Sequence, residues 1–299
     1  MSWLTDPWQY TFMQHAFLAI LLVGIICGAI GVFVILRGYS FLGDALAHAI
    51  FPGVVITFIL GGNFLVGALI AAIIVSVLIG AVSQSGRITN DTAIGVLFVG
   101  SFALGIALMS LQSGYVRDLN AFLFGSILGV GRNDLWLTAA VGALVLGLLA
   151  LFRREITLIS FDRVFARSTG LNLWWFDQLF LVLLAMAIVI SLQTVGNILV
   201  LAMLVTPSAT ARMLTDSLRK MIVLSSTIGA LSGLAGLYIS FYRGVPSGAA
   251  VVLTATVIFG IVFLFAPRTG AIVTRVRHRI HHAHPEDDAG FVVEEHPQT

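Results

Sequence analysis

Apolar residues run through this chain in long blocks, and the polar residues collect in short gaps between them. A hydrocarbon core of about 30 Å needs about 20 apolar residues per helix. Runs of that kind occupy residues 12–36, 41–60, 64–82 and 92–111, followed by 135–152, 176–193, 198–214, 221–241 and 249–266. The pattern predicts an all-α integral membrane protein with about nine spanning helices, or about eight if one early run does not cross. A further apolar piece at 119–130 is too short to span and reads as a re-entrant or surface helix.

Composition supports that reading. With 59% hydrophobic residues, 10% charged residues and 30 glycines in 299, the chain has too little polar surface to cover a soluble globule. Its glycine content suits helices that pack closely in a membrane. The single cysteine, Cys27, cannot form an internal disulfide and reads as a packing residue. The first ten residues carry Asp6 and no Lys or Arg, unlike a cleaved signal peptide, so the first apolar run is expected to remain.

The net charge of +2 matters less than where the charges fall. One set of gaps and the tail hold Arg37, Arg87, Arg153, Arg154, Arg163, Arg167, Arg212, Arg219, Lys220, Arg268, Arg275, Arg277 and Arg279, whereas the other set holds only Arg117, Arg132 and Arg243. Because cytoplasmic loops retain basic residues, this asymmetry puts the N-terminus outside and the C-terminus in the cytoplasm. The chain then divides into a transmembrane domain at 1–266 and a cytoplasmic tail at 267–299. The tail contains His278, His281, His282 and His284 followed by acidic residues. Its composition implies disorder, with weak metal holding as the alternative to simple solvation.

Several spans carry small residues four apart: Gly24 and Gly28, Gly125 and Gly129, Gly229 and Gly233. This spacing lets helix backbones approach, and internal packing is favoured over a dimer face. Pro52 and Pro207 fall inside spans and remove backbone donors, which frees carbonyls that need partners in a protein-lined interior. The longest internal polar connection, about 153–175, has Asp162, Ala166 and Gly170 at spacings of four. A short helix there would end near Gly170. Pattern alone leaves open whether it docks a partner or is an ordinary solvated loop helix.

The feature least compatible with a passive membrane domain is Gly43-Asp44-Ala45-Leu46-Ala47-His48. Asp44 is the one acid well inside an apolar run, where insertion scales put a charge at about 2.5 to 3.5 kcal/mol. Four residues on, His48 shares its helix face, so a carboxylate oxygen and an imidazole nitrogen can address one point. That is half of a site for a divalent ion such as Mn, Fe(II) or Zn, and a two-fold mate would supply the other half. The rival reading is a hydrogen bond that merely neutralises two awkward side chains. No phosphate-binding Gly-x-x-x-x-Gly-Lys-Ser/Thr loop and no His-Glu-x-x-His occurs. The chain is therefore read as no enzyme, and any ATP would be hydrolysed by another subunit. His15 lies near the outer end of the first span and reads as interfacial.

The stretch at 39–54, YSFLGDALAHAIFPGV, resembles the signature of permease subunits of the manganese, zinc and iron ATP-binding-cassette importers. Four more stretches are similar to that family in the same order: NDTAIG at 90–95, LFGSILG at 123–129, VTPSATA at 205–211 and PSGA at 246–249. The resemblance implies a second permease copy, most simply a homodimer, a cytoplasmic ATPase dimer, and an extracytoplasmic metal-binding protein that delivers the ion; no nucleic acid enters. It implies metal-gate roles for Asp44 and His48 and an ATPase-coupling role for Asp162, Arg163, Ala166 and Gly170. Pro52 resembles the manganese and iron branch, which favours manganese over zinc or iron as the ion carried. The expected function is alternating-access import gated by the Asp/His pair. The alternatives are an ion-coupled secondary metal transporter, or an importer of an iron chelate or cobalamin.

Overall fold

The computed structural model describes residues 5–84, 88–111 and 127–266. Arg87, Arg117, Gly125, most of the short 119–130 piece and the His-rich tail lie outside the described residues. Within them the long elements are all helices: α1 (Thr11–Leu36), α2 (Leu42–Ala49), α3 (Phe51–Ile59), α4 (Phe64–Gln84), α5 (Asn90–Ser110), α6 (Arg132–Leu151), α7 (Arg153–Phe161), α8 (Arg163–Ser168), α9 (Leu173–Val195), α10 (Asn197–Leu214), α11 (Leu218–Arg243) and α12 (Ser247–Phe265). Nine stretches among the described residues are long and apolar enough to cross a membrane. They coincide with the nine runs read from the sequence, α2 and α3 together making one span.

Lipid tails are as apolar as leucine, so burial alone does not drive such helices together; close contact and interhelical hydrogen bonds do. The α1–α11 contact is built that way. A Cβ on Gly28 would lie 2.7 Å from the Ser226 Cα, and one on Gly24 would lie 2.8 Å from the Ala230 nitrogen, so only glycine admits this approach. Gly24, Gly28 and Gly229 therefore serve internal packing, as their spacing predicts. Ser208 of α10 bonds Ser225 of α11 at 2.9 Å, and Thr138 of α6 bonds Thr194 of α9 at 2.8 Å. Interhelical bonds of this kind contribute about 0.6 kcal/mol each in a membrane.

α1 and α9 are the most buried spans, and α5 and α12 are the least. α9 stands at the centre, touching α4, α6, α1, α2 and α10. The span that carries Asp44 and His48 is broken at Ile50, because Pro52 cannot donate to the carbonyl four residues back. The Gly53 N–H turns to the Ile50 carbonyl at 3.0 Å, and Ser101 of α5 donates to the Ala49 carbonyl at 2.7 Å. The Ala49 carbonyl that the Gly53 N–H has left thus finds a partner inside the protein. Pro207, by contrast, is accommodated within an unbroken α10.

The turn between α9 and α10 is also buried. Gly196 takes φ of 88°, open to glycine but strained for other residues, and Val195, Gly196 and Asn197 are all inside the protein. Irregular backbone so enclosed is tolerated in a membrane protein where other protein surrounds it.

Candidate functional site

Asp44 sits in the first turn of α2, where helix N–H groups favour a carboxylate, and His48 follows one turn later. Asp44 Oδ1 lies 3.4 Å from His48 Nε2, with side-chain exposures of 37% and 31%, so the pair is reachable from outside the helix core. The imidazole is bracketed by Phe98 and Phe102 of α5, with ring centroids 5.9 and 5.6 Å away. Buttressed from that side, the ring keeps its orientation.

A third polar group joins them. Asn197, at the start of α10, places Nδ2 3.1 Å from the same His48 Nε2. With the amide donating, Nε2 carries a lone pair and faces the Asp44 carboxylate, another acceptor. A proton on Nε2 turns the contact with Asp44 into a donated hydrogen bond at 3.4 Å, whereas a lone pair there serves either the Asn197 amide or a cation, not both. Among the described residues no cluster of three or more His, Cys, Asp or Glu side chains is placed to hold a metal ion, so within one chain these two stand as a pair. His15 is remote from them: its Nδ1 bonds the Val130 carbonyl at 3.1 Å.

The connection at 153–175 folds into α7 and α8. Asp162 is the N-cap of α8, its Oδ1 accepting from the Phe165 N–H at 2.8 Å, and Gly170 closes the segment with φ of 79°. Ala166 does not point outward. It is fully buried against Ile159 and Leu173, so it anchors α8 to the membrane domain. The outward face is mixed, with Phe161, Val164 and Phe165 exposed by 59%, 82% and 55% beside the exposed Asp162, Arg163 and Arg167. A partner meeting this segment would meet those side chains rather than a small-residue notch.

Arg163 turns back toward the helices and bonds Asp177 at 2.6 Å. The other oxygen of Asp177 takes Arg37 at 2.8 Å, and Arg37 also donates to Ser160 at 2.9 Å while its guanidinium lies 4.4 Å from the centre of the Phe180 ring. Burial pulls the Arg37 guanidinium below its ordinary value, and the Asp177 carboxylate opposes that pull. Burial raises the Tyr39 phenol, and the Asp177 charge adds to the effect. One carboxylate thus ties α8 to the Arg37 loop that leads into α2.

Sequence reading singled out Asp44, His48, Asp162, Arg163, Ala166 and Gly170 but missed Asn197, Asp177 and the exposed face of α8. Asn197 and Asp177 sit at the ends of apolar runs, where a polar residue usually marks a helix boundary, and only tertiary packing brings them to their partners.

The model of the ABC 3 transport family matches residues 9–266. The chain is 48% identical to the manganese transport system membrane protein MntC of Listeria monocytogenes, over 93% of this chain and 99% of that protein. It is 42% identical to the manganese import system permease protein ScaB of Streptococcus parasanguinis, over 87% and 92%. Its fold resembles a chain of PsaBC from Streptococcus pneumoniae, solved in complex with Fab, with a TM-score of 0.80 and 38% identity, covering 92% of this chain and 99% of that one.

Proposed function

We propose, from the premise that this chain belongs to the ABC 3 transport family, that it is the membrane-spanning permease subunit of an ATP-driven importer of divalent transition-metal ions, with manganese as its main substrate. The observation that carries the reading is the Asp44–His48 pair, an oxygen and a nitrogen donor 3.4 Å apart and partly exposed on one face of a broken span. Donors sharing a cation at about 2.0 to 2.2 Å sit roughly 3 to 3.5 Å apart, so the spacing suits joint coordination. Ionisable residues at such places in membrane proteins mark ion paths. The names of the relatives, which specify manganese, support the choice of metal.

Two copies about a two-fold axis would bring two Asp44 and two His48 side chains to one ion. The N-terminus lies outside, where a metal-binding protein delivers the ion, and the basic helix ends face the cytoplasm. There α8, from Asp162 through Arg163 and Ala166 to Gly170, receives the ATPase dimer on its exposed Val164 and Phe165. Closure of that dimer moves α8, and the Asp177 link to Arg37 passes the motion to the gate helix. An ion-coupled secondary carrier has no use for such a docking face, and an organic chelate requires a wider passage than one flanked by Phe98 and Phe102.

Radioactive manganese uptake into proteoliposomes holding the permease and its ATPase tests the reading. Asp44→Ala and His48→Ala should each drop uptake to background while the ATPase still co-purifies. Normal uptake in both variants removes the gate assignment, and uptake without any ATPase subunit removes the ATP-driven one.

A further inference from the structure

Asn197 is 9% exposed and lies three residues beyond Thr194, which bonds Thr138 at 2.8 Å. Its Nδ2 engages His48, yet its Oδ1 is buried and has no hydrogen-bond partner. A buried amide oxygen is rarely left idle. The two ends of an amide are nearly the same size, so a half-turn of the side chain exchanges them. That turn puts the carbonyl oxygen where Nδ2 now stands, 3.1 Å from His48 Nε2. Neighbouring donors at right angles on a cation with bonds of about 2.0 to 2.3 Å lie roughly 2.8 to 3.3 Å apart. The same side chain can therefore rest against the imidazole through its amide nitrogen and swing its oxygen onto an ion held there.

We propose that Asn197 is a third metal ligand in each protomer and sets the preference for manganese over zinc. The proposal rests on the reading of Asp44 and His48 as the transport site. With the two-fold mate, Asp44, His48 and Asn197 supply six donors, four oxygens and two nitrogens. Six-coordinate, oxygen-rich sites suit manganese, whereas zinc is satisfied by four ligands, which the two Asp44 and two His48 side chains already provide. Loss of the Asn197 oxygen should therefore weaken manganese binding and leave zinc binding nearly unchanged.

The test is equilibrium binding of manganese and of zinc, each as its chloride, to the permease with its ATPase in lipid nanodiscs. Asn197→Ala should weaken manganese binding by about 10- to 100-fold, the range for a lost supporting group at a metal site. Zinc affinity should hold, and Asn197→Asp, which keeps an oxygen at that position, should restore manganese. Unchanged manganese affinity in Asn197→Ala overturns the proposal. Equal losses for both metals, unrelieved by Asn197→Asp, also overturn it, since a residue that only supports His48 would act on both ions alike. Asp44→Ala is measured alongside and should abolish binding of both metals. If it binds both normally, the transport-site reading fails and takes the ligand role of Asn197 with it, whereas failure confined to the Asn197 variants leaves that reading standing.

Discussion

Two polar clusters flank the start of α2, and they are built on opposite terms. In the Arg37 cluster each charge is answered: Asp177 takes Arg37 on one oxygen and Arg163 on the other, and Arg37 adds Ser160. The Arg37 side chain is 5% exposed and Asp177 18%, so the inner half of the cluster is nearly sealed. At Asp44 and His48 the reverse holds. The Asp44–His48 contact is long at 3.4 Å, both side chains are about a third exposed, and His48 Nδ1 and Asn197 Oδ1 are buried without partners. A saturated cluster has no capacity left for a ligand and can act as a strut. An unsaturated one sacrifices stability to keep donor atoms for something that arrives.

The largest effect expected from that contrast is on transport. Asp44→Ala should remove metal uptake yet leave thermal stability in detergent nearly unchanged, because the pair it breaks is long, 3.4 Å, and about a third exposed. Function lost with stability kept is the signature of a ligand-binding cluster. A large drop in melting temperature would instead mark Asp44 as part of the packing and erase the distinction between the clusters.

Asp177→Ala should do the opposite. Removing this carboxylate strands the buried Arg37, and breaking a buried pair from one side typically costs about 3 to 5 kcal/mol. Denaturant unfolding of the purified permease measures this. A loss below about 1 kcal/mol, the range of surface pairs, would show that water already reaches Arg37.

Gly28→Ala separates lost stability from lost charge. Its Cβ would meet the α11 backbone, 2.7 Å from the Ser226 Cα and 2.8 Å from the Ser226 nitrogen, and backbone cannot swing aside as a side chain can. Overpacking of this kind costs about 1 to 3 kcal/mol. The same unfolding assay should show that loss, with manganese binding by the folded fraction intact. If Gly28→Ala lost binding as well, the site would depend on the α1–α11 contact and not on its own ligands.

How much of this was legible beforehand follows from which residues interact locally. The spans were readable because 20-residue apolar blocks have one physical solution in a membrane. Asp44 and His48 were readable because an (i, i+4) pair shares a face wherever the helix goes. Gly170 followed in the same way, as a left-handed stop, whereas Asp162, expected on the helix face, stands before the helix as its cap. Ala166 did not: a small residue beside charges suits an exposed notch and a buried anchor equally, and only the packing of α8 on Ile159 and Leu173 decides. Asn197 and Asp177 act through partners distant along the chain, so no local pattern announces them. The sequence contained the first half of each cluster, and the fold supplied the second.

The smallest effect belongs to Arg163, and it tests the strut most finely. Arg163 and Arg37 bind the same carboxylate, but the Arg163 side chain is 54% exposed and Arg37 is 5% exposed. An exposed pair contributes about 0 to 1 kcal/mol, and in Arg163→Ala the Asp177 carboxylate keeps Arg37. Unfolding of this variant should therefore shift by less than about 1 kcal/mol. If the strut carries motion from α8 to α2, uptake should fall further than stability does, with manganese binding to the resting permease unchanged. Equal and small losses in uptake and stability would make Arg163 an ordinary surface pair. A stability loss as large as that of Asp177→Ala would mean that Asp177 is held in place from the α8 side, and that Arg37 depends on α8 for its partner.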